Sequence, residues 1–209
     1  MKAQITEITT EDQAFYGDKM HQILEAQQTV LDKLEKFEGI YRKQTGHEMA
    51  EHVKSRIKSR DSMMEKCVRQ HLEPNAETAL RCMTDYIGIR VVCSFVKDVF
   101  AIVDALKADD RFEVIKDKDY ITHPKPNGYR SYHFIVAVPV GTGEKMAVEI
   151  QLRTIAQDCW ASLEHQLRYK RKIPHEAMLV SELKRCAEEM ASTDLSMQTI
   201  RDLIEEDNE

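Results

Sequence analysis

Two cation-rich stretches and two isolated acids stand out in this chain by residue type and spacing. The first stretch is Arg56-x-Lys58-x3-Ser62-x3-Lys66. In EHVKSRIKS, Val53, Ser55 and Ile57 alternate with Lys54, Arg56 and Lys58. A period of two marks a strand, here with three cations in a row on one face. Ser62 and Lys66 are four apart, so they share a face of the following helix. That helix begins within Ser59–Ser62, where Ser and Asp offer caps and Ser62-Met-Met-Glu65 fits a capping box. Strand cations delivered beside the free N–H groups of a helix start make a polyphosphate cradle. The plainer alternative is a solvated basic edge strand, guarded against pairing with another chain. Spacing alone leaves both open.

Asp85 precedes Gly88 and Arg90 at the mouth of a strand, and Glu149 lies on the polar face of VEIQLRT. Taken singly, Asp85 reads as a turn residue and Glu149 as the wet face of a half-exposed strand. Brought together near phosphates, the two carboxylates would suit Mg²⁺, which takes few protein oxygens and keeps phosphate ligands.

The second stretch is HPKPNGYRSYH, residues 123–133, with two prolines, two tyrosines, two histidines, Lys125 and Arg130, and no acid. Asn127-Gly128 is a turn signal between strands. A turn explains Asn and Gly but not Lys125, Tyr129, Arg130, Tyr132 and His133. Beyond Gly128 the chain reads as extended, so Tyr129, Ser131 and His133 project to one side. A tyrosine beside cations can stack on a base while the cations hold its phosphates.

The elements that must position these groups follow from periodicity. Apolar residues at three-and-four spacing over 13–45 predict one long amphipathic helix. Strands are predicted at 51–59, 89–96, 112–118, 131–140 and 146–154. Helices are predicted from about Ser59, over 76–84, 98–107 and 155–170, and, beyond Pro174, over 176–206 as a helix or helix pair. In the last strand Met146, Val148, Ile150 and Leu152 face one way, and Ala147, Glu149, Gln151 and Arg153 the other. The order predicts an α+β (mixed α/β) fold: a mixed five-stranded sheet flanked by helices, with helical N- and C-terminal extensions.

Composition sets the frame. The chain has 209 residues, 42% hydrophobic and 32% charged, ordinary for a soluble globular protein. The net charge of −6 sits in Glu182–Glu209, with nine acidic residues against three basic, so the rest is neutral and its cations are local. Five cysteines are odd in number with no C-x-x-C, which fits free thiols in a reducing cytoplasm. No apolar run approaches the ~18 residues of a membrane span, and no membrane partner is expected. HEMAEH fails as a zinc motif, since His47 and His52, five apart, diverge by about 140° on a helix. There is no Walker A loop and no G-x-G-x-x-G. His165 and Trp160 read as structural.

Four segments, RIKSRDSMMEK (56–66), DYIGIRV (85–91), KDYITHPKPNGYRSYH (118–133) and VEIQLRTIAQDCWASLEHQLRYK (148–170), together resemble the synthetase domain of the RelA/SpoT family, best its stand-alone small alarmone synthetases. The resemblance spans roughly residues 50–170. It implies a nucleotidyltransferase-like sheet and a pyrophosphokinase that moves the β,γ-pyrophosphate of ATP onto the ribose 3′-OH of GDP or GTP, giving ppGpp or pppGpp and AMP. It implies that Arg56 and Arg90 sandwich adenine, and that Lys58, Ser62 and Lys66 hold the ATP phosphates. Lys118 stands where relatives often carry a phosphate-binding arginine. Asp85 and Glu149 match the acidic pair, Asp85 as Mg²⁺ ligand and Glu149 as a second ligand or the group activating the 3′-OH. Tyr129 matches the guanine-stacking tyrosine, and Lys125, Asn127, His133 and Gln151 lie on the acceptor side. The expected organisation is one synthetase domain over 1–209: an N-terminal helical region (1–48), a catalytic sheet core (49–170) and C-terminal helices (171–209). Neither an HD hydrolase nor a regulatory domain is expected, so synthesis without hydrolysis. A homo-oligomer, a tetramer in several relatives, is also implied. The alternatives are a single-stranded RNA-binding module using Tyr129, Tyr132 and the basic strand, or a related enzyme with another nucleotide acceptor.

Overall fold

The computed structural model describes residues 3–141, 143–168 and 176–207. Six strands form one mixed sheet: β1 (Gln4–Ile5), β2 (Ala50–Ile57), β3 (Ile87–Cys93), β4 (Glu113–Asp119), β5 (Tyr132–Val140) and β6 (Glu144–Thr154), in the order β1-β2-β3-β6-β5-β4. The five expected strands are present. The sixth, β1, lies parallel on the outer edge of β2; two residues carry no alternation, so nothing in the sequence marks it. Strand β6 enters between β3 and β5, parallel to β3 and antiparallel to β5.

The helices are α1 (Thr10–Tyr16), α2 (Lys19–Thr45), α3 (Arg60–Arg69), α4 (Ala76–Cys82), α5 (Val96–Lys107), α6 (Ile155–Arg168) and α7 (Glu176–Glu206). Two expectations are corrected. The long helix expected over 13–45 is two, because Gly17 takes φ +51°, a conformation that ends α1. Thr9 and Asp12 form the capping box that starts α1. The cap of α3 is Ser59, whose hydroxyl accepts from the Ser62 N–H, so Ser62 lies inside the helix and does not cap it. The last helix is single. Boundaries of β3, α4 and α5 shift by one to three residues, and Pro174 lies outside the described residues.

Sheet register separates two faces. Val53, Ile87, Ile89, Val91, Phe134, Val136, Val138, Met146, Val148, Ile150 and Leu152 are all buried. They join Ile23, Val30 and Leu34 of α2 and Val99, Ile102 and Leu106 of α5 in one core. Ser55 interrupts this apolar face, and Gln27 of α2 donates to its hydroxyl at 2.7 Å, so neither buried polar group is orphaned. The other face is polar, and neighbouring strands align its side chains in rows. One row runs Arg56, Gly88, Glu149, Ile135, Lys116; the next runs Lys54, Arg90, Gln151, His133, Lys118. A smaller cluster of Trp160, Leu183 and Ala187, with Tyr129 against it, joins α6 and α7 beside this polar face.

Candidate active site

A cleft opens on the polar face, lined by Lys54, Arg56, Lys58, Asp85, Gly88, Arg90, Glu149 and Gln151, with Thr6 at its rim. Glycine at 88 leaves the space between Arg56 and Glu149 without a side chain, and Arg56 makes no side-chain hydrogen bond or ion pair among the described residues. Arg90 lies 3.4 Å from Asp158 of α6.

Lys58 falls one residue beyond β2 and not within it, yet its N–H still donates to the Tyr86 carbonyl at 2.8 Å, extending the β2–β3 pairing. The Tyr16 hydroxyl donates to the Lys58 carbonyl at 2.6 Å, and Asp12 accepts from the Arg60 N–H at 2.8 Å. Helix α1 thus clamps the β2–α3 junction from which Lys58 and Lys66 reach the cleft. Sequence reasoning missed this role, although Thr9-x-x-Asp12 signals the start of a helix before the longer one.

Lys58 Nζ donates to Asp85 Oδ2 at 2.5 Å. Lys66 Nζ sits 2.6 Å from Asp85 Oδ1 in a second ion pair. Burial alone would raise the Asp85 carboxyl; the two ammonium groups outweigh it and hold it below the usual carboxylate range. Glu149 behaves alike. Burial pushes it up, but His133, with Nδ1 3.6 Å from Oε1, and Gln151, donating to Oε2 at 3.1 Å, hold it down. Both acids are therefore held toward their ionised form, hard oxygen donors on one cleft. That set fits Mg²⁺, which takes one or two carboxylates and completes its shell with phosphate and water. Among the described residues no group of three or more His, Cys, Asp or Glu side chains could enclose a metal.

The 123–133 segment stands beside the Glu149 end of the cleft. Its reversal is centred on Pro126-Asn127: the Gly128 N–H donates to the Lys125 carbonyl at 2.8 Å and the Lys125 N–H to the Tyr129 carbonyl at 3.1 Å. Asn127 shapes the turn by accepting from the Tyr129 N–H at 3.2 Å. Gly128 has φ +90°, and a Cβ there would lie 2.6 Å from the Ala187 Cβ, so the turn is seated on α7. Tyr129 meets Tyr120, His133 and Trp160 edge-on, with the Lys125 ammonium 4.9 Å from its ring centre. Its hydroxyl contacts His133 Nε2 at 2.8 Å.

The geometry brings Arg56, Lys58, Asp85, Arg90, Glu149 and Gln151 into one cleft, with Lys66 joined through Asp85. Lys125, Tyr129 and His133 gather beside it. Ser62 is exposed at the start of α3, its hydroxyl accepting from Ser59. Lys118 is exposed on β4, opposite His133 in register but outside the cleft. Sequence reasoning assigned no role to Tyr120, Asp158 or Arg153; only Arg153 had a signal, its place on the polar face of β6.

The profile described as a region found in RelA / SpoT proteins matches residues 55–174. The chain belongs to the RelA/SpoT family. A relative in this family is the GTP pyrophosphokinase YwaC of Bacillus subtilis (strain 168), 43% identical over 68% of this chain and 70% of that protein. A second is the GTP pyrophosphokinase YjbM of the same organism, 37% identical over 83% and 82%. Small alarmone synthetase 1 from Bacillus subtilis, solved bound to its product pppGpp, superposes with a TM-score of 0.75 at 31% identity, covering 90% of this chain and 99% of that one. The same synthetase bound to AMPCPP gives 0.68 at 30% identity, covering 88% and 95%. These solved members of the RelA/SpoT family share the mixed sheet described above.

Proposed function

We propose that this chain is a GTP pyrophosphokinase that transfers the β,γ-pyrophosphate of ATP to the ribose 3′-OH of GDP or GTP, giving ppGpp or pppGpp and AMP. The observation that carries the reading is the pair of acids Asp85 and Glu149 in one cationic cleft, with Tyr129 and His133 gathered beside it. In support stand the named activities of the relatives and the pppGpp and AMPCPP bound by the solved synthetase.

On the donor side, Arg56 and Arg90 offer planar guanidinium groups to adenine, which lysine would not replace. Lys58, Lys66 and Ser62 take the ATP phosphates, with Lys118 a further ATP-binding cation. On the acceptor side, Tyr129 stacks on guanine, while Lys125, Asn127, His133 and Gln151 orient the nucleotide. The 3′-oxygen attacks the β-phosphorus; the bond from that phosphorus to the α,β-bridging oxygen breaks, and AMP leaves. Little covalent work is required of the protein, so alignment and charge neutralisation dominate. Asp85 and Glu149 are the residues that would hold Mg²⁺, which when bound neutralises charge developing on the phosphates. Glu149, nearer the acceptor residues, is also the group placed to take the 3′-hydroxyl proton.

Glu149→Gln is expected to lower kcat by at least about 10²-fold while AMPCPP still binds, measured by calorimetry. Wild-type turnover in that variant would remove Glu149 from the chemistry. Family membership does not favour the single-stranded RNA reading.

The organisation proposed is one synthetase unit without hydrolysis, checked by the survival of ppGpp incubated with the protein and Mg²⁺ or Mn²⁺. A cytoplasmic setting accords with its free cysteines. No helix among the described residues is long and apolar enough to cross a membrane. Self-association, as a tetramer, is proposed through α7, where Met197, Ile200 and Leu203 are exposed three residues apart.

A further inference from the structure

Arg153 is only 5% exposed, on the polar face of β6 next to Gln151. Its NH1 donates to Asp158 at 3.0 Å. Its NH2 donates to the Tyr129 hydroxyl at 2.6 Å and to Gln151 Oε1 at 3.4 Å, and its Nε to the Ser131 hydroxyl at 3.4 Å. Asp158 and Gln151 would satisfy a buried guanidinium that served packing alone. The short bond to Tyr129 has a further consequence.

A guanidinium only donates, so the Tyr129 oxygen is its acceptor. The other partner of that hydroxyl is His133 Nε2 at 2.8 Å, and it has no third among the described residues. Turned toward His133, the phenolic proton would make Nε2 its acceptor. A neutral imidazole that accepts at Nε2 carries its proton on Nδ1. Nδ1 is the ring atom 3.6 Å from Glu149 Oε1. In that arrangement donation runs from Arg153 through Tyr129 to His133, whose Nδ1 faces Glu149 Oε1 across 3.6 Å, with Asp158 anchoring Arg153.

We propose that Arg153 is a positioning residue for pyrophosphate transfer: through the Tyr129 hydroxyl it fixes the Nδ1–H tautomer and the orientation of His133, which in turn holds the Glu149 carboxylate. Tyr129 then has two separable parts, a ring that faces the acceptor base and a hydroxyl that belongs to the relay. The kinetic half of this proposal rests on the pyrophosphokinase reading; the tautomer half does not.

The experiment uses the full chain with ¹⁵N-labelled histidine at about pH 8.5, where imidazole is ordinarily neutral. Long-range ¹H–¹⁵N spectra, with His133→Gln to assign the signal, report the tautomer in wild type, Tyr129→Phe, Arg153→Met and Arg153→Lys. Transfer kinetics with Mg²⁺, ATP and GDP are measured in parallel. Wild type is expected to show Nδ1–H at His133. Tyr129→Phe and Arg153→Met are expected to lose it, with kcat down on the order of tenfold or more. In Tyr129→Phe the acceptor KM stays within about threefold, because the ring is kept; Arg153→Lys restores part of both readouts. An Nε2–H tautomer in wild type, or a Tyr129→Phe variant with unchanged His133 signal and kcat, would overturn the proposal. Should Arg153→Met not fold, Tyr129→Phe, which removes one oxygen, decides. If wild type makes no guanosine product, the pyrophosphokinase reading fails, and the histidine spectra still decide the relay.

Discussion

Asp85 sits between two ammonium groups, Lys58 at 2.5 Å and Lys66 at 2.6 Å, and in the proposed reaction each cation would also meet phosphate. Lys66→Met should therefore raise the KM for ATP on the order of tenfold, with a smaller change in acceptor KM, read from initial rates. An equal rise in both would place Lys66 outside the donor side. Tyr129→Ala, unlike Tyr129→Phe, removes the ring; base stacking worth ~1–3 kcal/mol predicts a large loss in acceptor kcat/KM with ATP affinity kept. At this scale the sequence was informative wherever a residue's type already conflicts with packing. An acid on an alternating strand or a tyrosine beside two cations needs a reason. Arg153 and Asp158 were not legible as a pair, because their contact depends on how α6 leaves β6, which residue types do not specify.

The elements deliver these groups through junctions more than through their middles. Helix α1 holds the β2–α3 junction by the Tyr16 hydroxyl on the Lys58 carbonyl. Burial, then the nearby Asp12 and Asp85 charges, raise the Tyr16 hydroxyl far above its usual range, so it stays a donor at any working pH. Tyr16→Phe should cost about 1 kcal/mol in urea unfolding and weaken ATP binding, since Lys58 loses its backbone anchor. Unchanged ATP affinity at reduced stability would make α1 a packing element only. Gly128→Ala is the sharper case: a strained φ and a 2.6 Å approach to Ala187 predict a loss of about 2 kcal/mol and a raised acceptor KM as the turn lifts from α7. Alternation gave β2 and β6 and their polar faces correctly, because period two survives any tertiary setting. The α1–α2 break was hidden because apolar spacing continues across Gly17, and β1 because two residues have no period.

Across the molecule, the register of five strands turns separate motifs into two rows on one sheet face, which no single segment encodes. Strand β6 takes the central place between β3 and β5, so Glu149 and Gln151 fall between the arginines Arg56 and Arg90 and His133. The opposite face is an apolar core, interrupted by the Ser55–Gln27 bond and tied at its rim by charges. Arg111, at 2.8 Å, holds the Asp109 carboxyl well below its usual range, outweighing burial, with Lys33 of α2 adding to it at 3.0 Å. A depressed folded value contributes stability above the unfolded pKa of about 4 that is lost as pH falls further. Asp109→Asn should thus be less stable than wild type on the order of 1 kcal/mol at pH 7, with the gap closing below about pH 4; a gap independent of pH would contradict this assignment. The most direct test of the whole account is to incubate the protein with Mg²⁺, ATP labelled at the γ-phosphate, and GDP, GTP or GMP in turn, and to identify the products. The account predicts labelled ppGpp from GDP and pppGpp from GTP, each with one AMP. Release of ADP or inorganic phosphate without a guanosine 3′-pyrophosphate would contradict it.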